Sequence, residues 1–295
     1  MLKGLLFDMD GVLVNNLEVH REAFAEFFRR YGVERSFDEL SRVFGKGNDD
    51  IMGELMPADV VERVGIRELG NEKEAIYREI YAPTIVPQPG LLEFLAESER
   101  EGLRAAVGSS GYRANVDFVL DKCNIRRYFI AAVAGDEVTR CKPDPEIYLT
   151  AAAKLGLEPS ECVVFEDAEA GIESAKRAGI KVVALATTFD REFLSHTEAD
   201  IIVDDFRDVN VAMLRKLIEG ETRFRSFVMG GMRSITSSTR AGSIAHTATT
   251  NFVNIPGTRR LRPCIIALTP RRAIVLGLCM MPRQTNALRH DGLRL

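Results

Sequence analysis

LKGLLFDMDGV, residues 2–12, is the stretch on which the fold turns. LKGLLF (2–7) is a short apolar run of the kind that forms a buried strand. It stops on Asp8, Met9, Asp10 and Gly11. Further along, residues 17–31 place Leu17, Ala23, Phe24, Phe27, Phe28 and Tyr31 on one face, which predicts a helix ended by Gly32. Helical patterning continues over 36–81 in FDELSRVF, DDIMGELM and EKEAIYREIY, with the loop GKGN (45–48) interrupting it. Pro83, Pro87, Pro89 and Gly90 close that region.

Beyond residue 90 the rhythm becomes an alternation. Helices are expected at 91–100, 112–122, 145–155, 169–178 and 208–218, and strands at 103–109, 129–135, 162–167, 181–186 and 199–205. Short apolar runs between amphipathic helices predict an α/β fold, a doubly wound parallel sheet of Rossmann-like form. The first strand must join that sheet although a helical block separates it from the rest. Residues 15–81 are therefore expected to be an inserted helical cap on a core formed by 1–14 and 82–218.

Composition narrows the class. A chain of 295 residues, 46% apolar and 28% charged, can bury a substantial core; it is neither collagenous nor disordered throughout. Cys123, Cys141, Cys162, Cys264 and Cys279 form no CxxC pair, as expected of reduced thiols in the cytoplasm. The opening apolar run is too short for a secretory signal, and no uninterrupted run of 18 apolar residues exists to span a membrane. The net charge of −4 hides two unlike parts. Residues 219–295 hold twelve Arg, no Lys and three acids, a charge of +9, leaving −13 on residues 1–218. This tail lacks a sustained period and is expected to be a basic extension of low order, without a fold of its own. Interleaved aromatics and a folded recognition module are missing from it, so nucleic acid is not the expected partner.

In an open parallel sheet, ligands bind at the carboxyl ends of the strands. That rim would gather Asp8 and Asp10, Ser109 with Ser110, Lys142, and Glu166 with Asp167. Carboxylates so close repel one another unless a divalent cation compensates them, and an all-oxygen set suits Mg²⁺. Lys and Ser on the same rim can hold an anionic group. A carboxylate can act as nucleophile toward phosphorus, and a second one can serve as general acid and base.

Taken together, DMDGV (8–12), AVGSS (106–110), KPDPEIY (142–148) and EDAEAGIESAKRAG (166–179) resemble the four motifs of the haloacid dehalogenase superfamily. The helical insertion after the first motif resembles the cap of its β-phosphoglucomutase-like branch. The resemblance spans about residues 1–218 and not the tail. It implies Asp8 as nucleophile and Mg²⁺ ligand, and Asp10 as general acid/base with its backbone carbonyl also on the metal. Ser109 and Ser110 would bind the phosphoryl oxygens, and Lys142 would bridge nucleophile and phosphoryl group. Glu166 and Asp167 would complete the metal set. Dehalogenating members usually lack the second Asp, so Asp10 points to phosphate chemistry.

The same resemblance makes His20, early in the cap, a partner of Asp10, and makes 45–50 the specificity loop. Phosphoglucomutases carry an Arg there for a second phosphate; here the nearest position is Asn48, with Lys46 as a substitute charge. Asn15 and Asn16 depart from the usual hinge residues of the branch. The expectation is a Mg²⁺-dependent phosphatase of a small phosphorylated metabolite, such as a sugar or polyol phosphate; the sequence leaves the oligomeric state open and is compatible with a monomer. A phosphomutase, and a non-catalytic binding protein acting through the basic tail, are the competing readings.

Overall fold

The structure, a computed structural model, describes residues 1–220 apart from 37, 38, 41, 44 and 45. The expected basic tail lies outside the described residues. The chain opens with β1 (Gly4–Phe7) and then a helical block: α1 (Leu17–Tyr31), α2 (Asn48–Leu55), α3 (Ala58–Val64) and α4 (Ile66–Tyr81). After it come α5 (Leu91–Arg100), β2 (Arg104–Ser109), α6 (Arg113–Lys122), β3 (Phe129–Ala134) and α7 (Glu146–Lys154). The described part ends with β4 (Cys162–Glu166), α8 (Glu169–Arg177), β5 (Lys181–Leu185), α9 (Arg191–Ser195), β6 (Ile201–Val203) and α10 (Val211–Glu219).

All six strands form one parallel sheet in the order β3-β2-β1-β4-β5-β6. The order reverses direction beside β1, so β1 sits at the centre, between β2 and β4, where such sheets bind ligands. Because side chains alternate along a strand, each central strand must be apolar on both faces. Leu5, Phe7, Val107, Val163, Phe165, Val183 and Leu185 point to one core, with Phe94 and Leu95 of α5 and Leu214 and Leu217 of α10. Leu6, Ala106, Val133, Val164, Val182 and Ala184 point to the other, with Ile147 and Ala151 of α7 and Ile172 and Ala175 of α8. On the first face Phe7 stacks on Phe165 at 4.8 Å between centroids, and Phe94 and Phe206 close the cluster.

Three sequence expectations need correction. The strand expected over 199–205 is only Ile201–Val203, because Asp205 turns back to accept the Arg207 N–H and opens a turn. The last helix starts at Val211, after Asn210 caps it by accepting the Met213 N–H at 2.9 Å. Asn48 is not in a loop but begins α2. The short helix α9 was not foreseen; Asp190 caps it through the Phe193 N–H.

Candidate active site

The first motif is a tight loop at the end of β1. Leu13 N donates to Met9 O at 2.8 Å, and the Gly11 carbonyl accepts from both Thr187 Oγ1 and Gln88 Nε2. Gly11 has φ +75° and a Cβ there would collide with the Asp167 carboxylate, so two independent reasons demand glycine. The backbone N–H of Asp8 donates to Phe165 O at 3.0 Å, which ties the Asp8 end of β1 to the Asp167 end of β4.

Lys142 reaches the same point from the loop after β3. Glu146, at the start of α7, accepts the N–H groups of Thr139 and Arg140 and holds that loop in place. The Lys142 ammonium, 3% exposed, donates to Asp8 Oδ1 at 2.5 Å and to Glu166 Oε1 at 2.6 Å. Glu166 also accepts from the Tyr148 hydroxyl and, through Oε2, from the N–H groups of Asp167 and Ala168. A Cβ on Gly171 would fill the space that the Glu166 carboxylate occupies.

Asp8, Glu166 and Asp167 are all buried, and one oxygen from each lies within 4.8 Å of the others. Burial drives the Asp8 carboxyl up to about 8 against the pull of Lys142, with Glu166 and Asp10 adding to the rise. Burial, then the charges of Glu166 and Asp8, push Asp167 well above the usual carboxylate range. Lys142 moves the other way from what burial alone would do, held charged by Asp8 and Glu166. Carboxyls that resist ionisation side by side are the electrostatic signature of a site short of positive charge. An oxygen-only set cradled by two glycines fits a hard divalent cation.

Asp10 does not join this cluster through its side chain. Its Oδ1 accepts from Asn16 Nδ2 at 2.6 Å and lies 3.5 Å from His20 Nε2. Despite burial, the hydrogen bonds from His20 and Asn16 keep its carboxyl below the usual range. Behind His20, Lys73 Nζ lies 2.9 Å from Nδ1, and Tyr77 stacks on the ring at 4.2 Å between centroids. An ammonium has only protons to offer, so Nδ1 is the acceptor and the ring proton sits on Nε2, facing Asp10. Lys73 in turn pairs with Glu74 at 2.8 Å, and Glu74 is tied to Asn115 of α6.

A cleft of about 700 Å³, its open mouth included, connects these groups. Asp8, Asp10, His20, Lys46, Asn48, Ser110, Lys142, Glu166 and Asp167 all line it, which brings residues from distant parts of the chain together. Two expectations change. Ser109 is fully buried and off the lining; its hydroxyl accepts the Gly111 N–H at 3.0 Å, and Ser110 and Gly111 form the wall instead. Lys46 is no spare charge, because Glu54 of α2 takes its ammonium at 2.7 Å.

Sequence reasoning missed Lys73, Glu74 and Asn115, and treated Asn16 only as a departure in the hinge. One signal was present: on α4 the buried stripe Leu69, Lys73, Ile76, Tyr77 puts a lysine where the period demands an apolar residue.

The sequence profile described as haloacid dehalogenase-like hydrolase matches residues 5–185. Validoxylamine A 7'-phosphate phosphatase of Streptomyces hygroscopicus subsp. limoneus is 37% identical over 209 residues, 71% of this chain and 96% of that protein. Fructose-1-phosphate phosphatase YqaB of Escherichia coli (strain K12) is 31% identical over 180 residues, 61% of this chain and 94% of that protein. The crystal structure of CbbY from Rhodobacter sphaeroides in complex with phosphate superposes with a TM-score of 0.64 at 28% identity, covering 73% of this chain and 100% of that one.

Proposed function

This chain belongs to the haloacid dehalogenase-like hydrolase family, and from that premise we propose that it hydrolyses a small phosphate monoester, a sugar or polyol phosphate, through a phosphoryl group carried on Asp8. The names of the relatives, a validoxylamine A 7'-phosphate phosphatase and a fructose-1-phosphate phosphatase, support that substrate class. The observation that carries the reading is geometric: Asp8 is held by Lys142 beside Glu166 and Asp167, while Asp10, two residues along the same loop, is held instead by Asn16 and His20, and Asp8, Asp10, His20, Lys142, Glu166 and Asp167 line one cleft. Different partners around two like groups of one loop suit them to different tasks.

In this reading an Asp8 oxygen forms a bond to phosphorus while the ester oxygen leaves, taking a proton from the Asp10–His20 pair. Water then attacks the aspartyl-phosphate and returns a proton to Asp10, releasing inorganic phosphate and restoring the carboxylate. Lys142 holds Asp8 in place and offers charge to the phosphoryl oxygens, with Ser110 and Gly111 on the wall beside it. Ser109 acts by positioning the Gly111 N–H. Asp8, Glu166, Asp167 and the Asp10 carbonyl would hold Mg²⁺, which when bound supplies positive charge toward the transferring phosphoryl group.

We take 15–81 as a cap that shields this chemistry from bulk water, over a core of 1–14 and 82–218. The cytoplasm is the compartment we propose: Cys123, Cys141 and Cys162 are free thiols, and no helix among the described residues is long and apolar enough to cross a membrane. The test is a panel of sugar and polyol phosphates assayed with Mg²⁺. Release of inorganic phosphate by the native chain, abolished in Asp8→Asn, is the expected result. Failure to cleave any ester would overturn the reading, and formation of an isomeric sugar phosphate in place of free phosphate would make the protein a mutase.

A further inference from the structure

Two charged side chains of α4, Lys73 and Glu74, are each 2% exposed, and Lys73 Nζ lies 2.8 Å from Glu74 Oε1. Taking both charges out of water is costly, and apolar side chains of similar volume would serve the fold as well or better. What the pair touches accounts for its presence. On one side, Glu74 Oε2 accepts from Asn115 Nδ2 at 2.5 Å. Asn115, 1% exposed, belongs to α6, the helix that follows the Ser110–Gly111 wall. Its Oδ1 accepts from Arg78 Nη1 at 2.6 Å. A guanidinium can only donate, so the amide is oriented and its nitrogen is committed to Glu74. Despite burial, the Lys73 charge and the hydrogen bonds from Lys73 and Asn115 keep the Glu74 carboxyl below the usual range. On the other side, the Lys73 ammonium donates to His20 Nδ1 at 2.9 Å and lies 4.3 Å from the Phe24 ring centroid. His20 Nε2 then faces Asp10. From Arg78 to Asp10, each donor is fixed by the group behind it, and the series starts from a core helix and ends on the acid/base loop.

We propose that Glu74 and Asn115 are positioning residues for the acid/base step: Asn115 orients Glu74, Glu74 holds the Lys73 ammonium against His20 Nδ1, and the His20 Nε2–H is thereby kept on Asp10. Both act through His20. Asp10 is aligned by this series only while α4 lies against α6, so the acid/base is set by a contact remote from the phosphoryl group. This rests on the phosphatase reading above and deepens it.

The experiment compares kcat/KM with Mg²⁺ for two esters: the fastest-cleaved sugar or polyol phosphate of the panel above, and p-nitrophenyl phosphate. An alkyl oxygen needs a proton as it leaves, whereas a nitrophenolate leaves without one. Misplaced acid/base therefore slows the first ester and spares the second, while general damage to the fold or the metal set slows both. In Glu74→Gln the ratio of sugar ester to nitrophenyl ester is expected to fall about tenfold. Asn115→Leu should lower it in the same direction by a smaller factor. Because Glu74→Gln leaves a buried ammonium without its carboxylate, the double variant Lys73→Met, Glu74→Leu is measured beside it. Free of both charges, it should melt above Glu74→Gln and lose the ratio as far, which separates alignment from stability. An unchanged ratio in the double variant, or an equal loss on both esters, overturns the assignment. A native chain that releases phosphate from neither ester overturns the phosphatase reading itself, a result distinct from turnover with an undisturbed ratio.

Discussion

At Asp8 the cost of gathering acids is measurable. Burial, with Glu166 and Asp10 nearby, pushes its carboxyl up to about 8 in the folded chain, against about 4 in an unfolded one. Between those values the folded state binds the extra proton, so stability is greatest at the acid end of the window and declines as pH rises toward 8. Asp167 is shifted in the same direction and adds to the slope. A divalent cation competes with those protons. The melting temperature, followed by differential scanning fluorimetry, is therefore expected to fall by several degrees from pH 5 to pH 8.5 without metal. Mg²⁺ should recover more of it at pH 8.5 than at pH 6. An equal gain at both values would remove the carboxyls from the metal set.

Helix α4 joins the site to its surroundings. Its Lys73 and Tyr77 hold His20, while its Glu74 and Arg78 meet Asn115 on α6. At its other end Tyr112 inserts between elements. Its hydroxyl donates to Asp49 of α2 at 2.5 Å, the Arg67 guanidinium covers its ring at 4.0 Å, and Gly70 leaves the room it needs. Arg67 also pairs with Asp136 at 2.9 Å. These contacts fasten the helical block over the sheet end. Tyr112→Phe removes a charge-assisted bond worth about 1 kcal/mol or more. It should raise KM severalfold and lower the melting temperature by about 2–4 °C; an unchanged KM would mean that the bond holds nothing that the substrate needs.

This element also shows where sequence reading stops. The sheet was legible because continuous apolar runs such as CVVFE have few alternatives between amphipathic helices. The cluster of Asp8, Lys142, Glu166 and Asp167 was legible because Asp8, Glu166 and Asp167 sit at the carboxyl ends of β1 and β4 and Lys142 lies in the loop that follows β3. Lys73 and Glu74 were not, because a lysine and a glutamate side by side on a helix usually mark a solvated face, and only tertiary packing buries them. Lys46 misled for the reverse reason: its loop position suggested availability, and Glu54, eight residues on, uses it up.

On the scale of the whole molecule, every described element of the site lies before residue 220, and the family match ends at 185. A chain cut after Gly220 should keep its kcat/KM within about twofold and its melting temperature. It should lose any retention on heparin, since the remaining body is acidic and repels polyanions. A truncated chain without activity would place 221–295 among the parts that the chemistry requires, and salt-sensitive nucleic-acid binding by the full chain would revive the reading of that segment as a basic arm.

The ladder between β1 and β4, which pairs Phe7 with Phe165, has an evolutionary corollary. Distance along the chain between the first and last motifs is free to vary, since the intervening insert leaves and returns on the same side. Spacing across the ladder is not. Dropping one residue from 162–166 would swap the inward and outward sides of β4 and carry Glu166 to the wrong layer. Descendants of this scaffold can thus exchange the insert wholesale to acquire new substrates, while indels within those few central residues are purged.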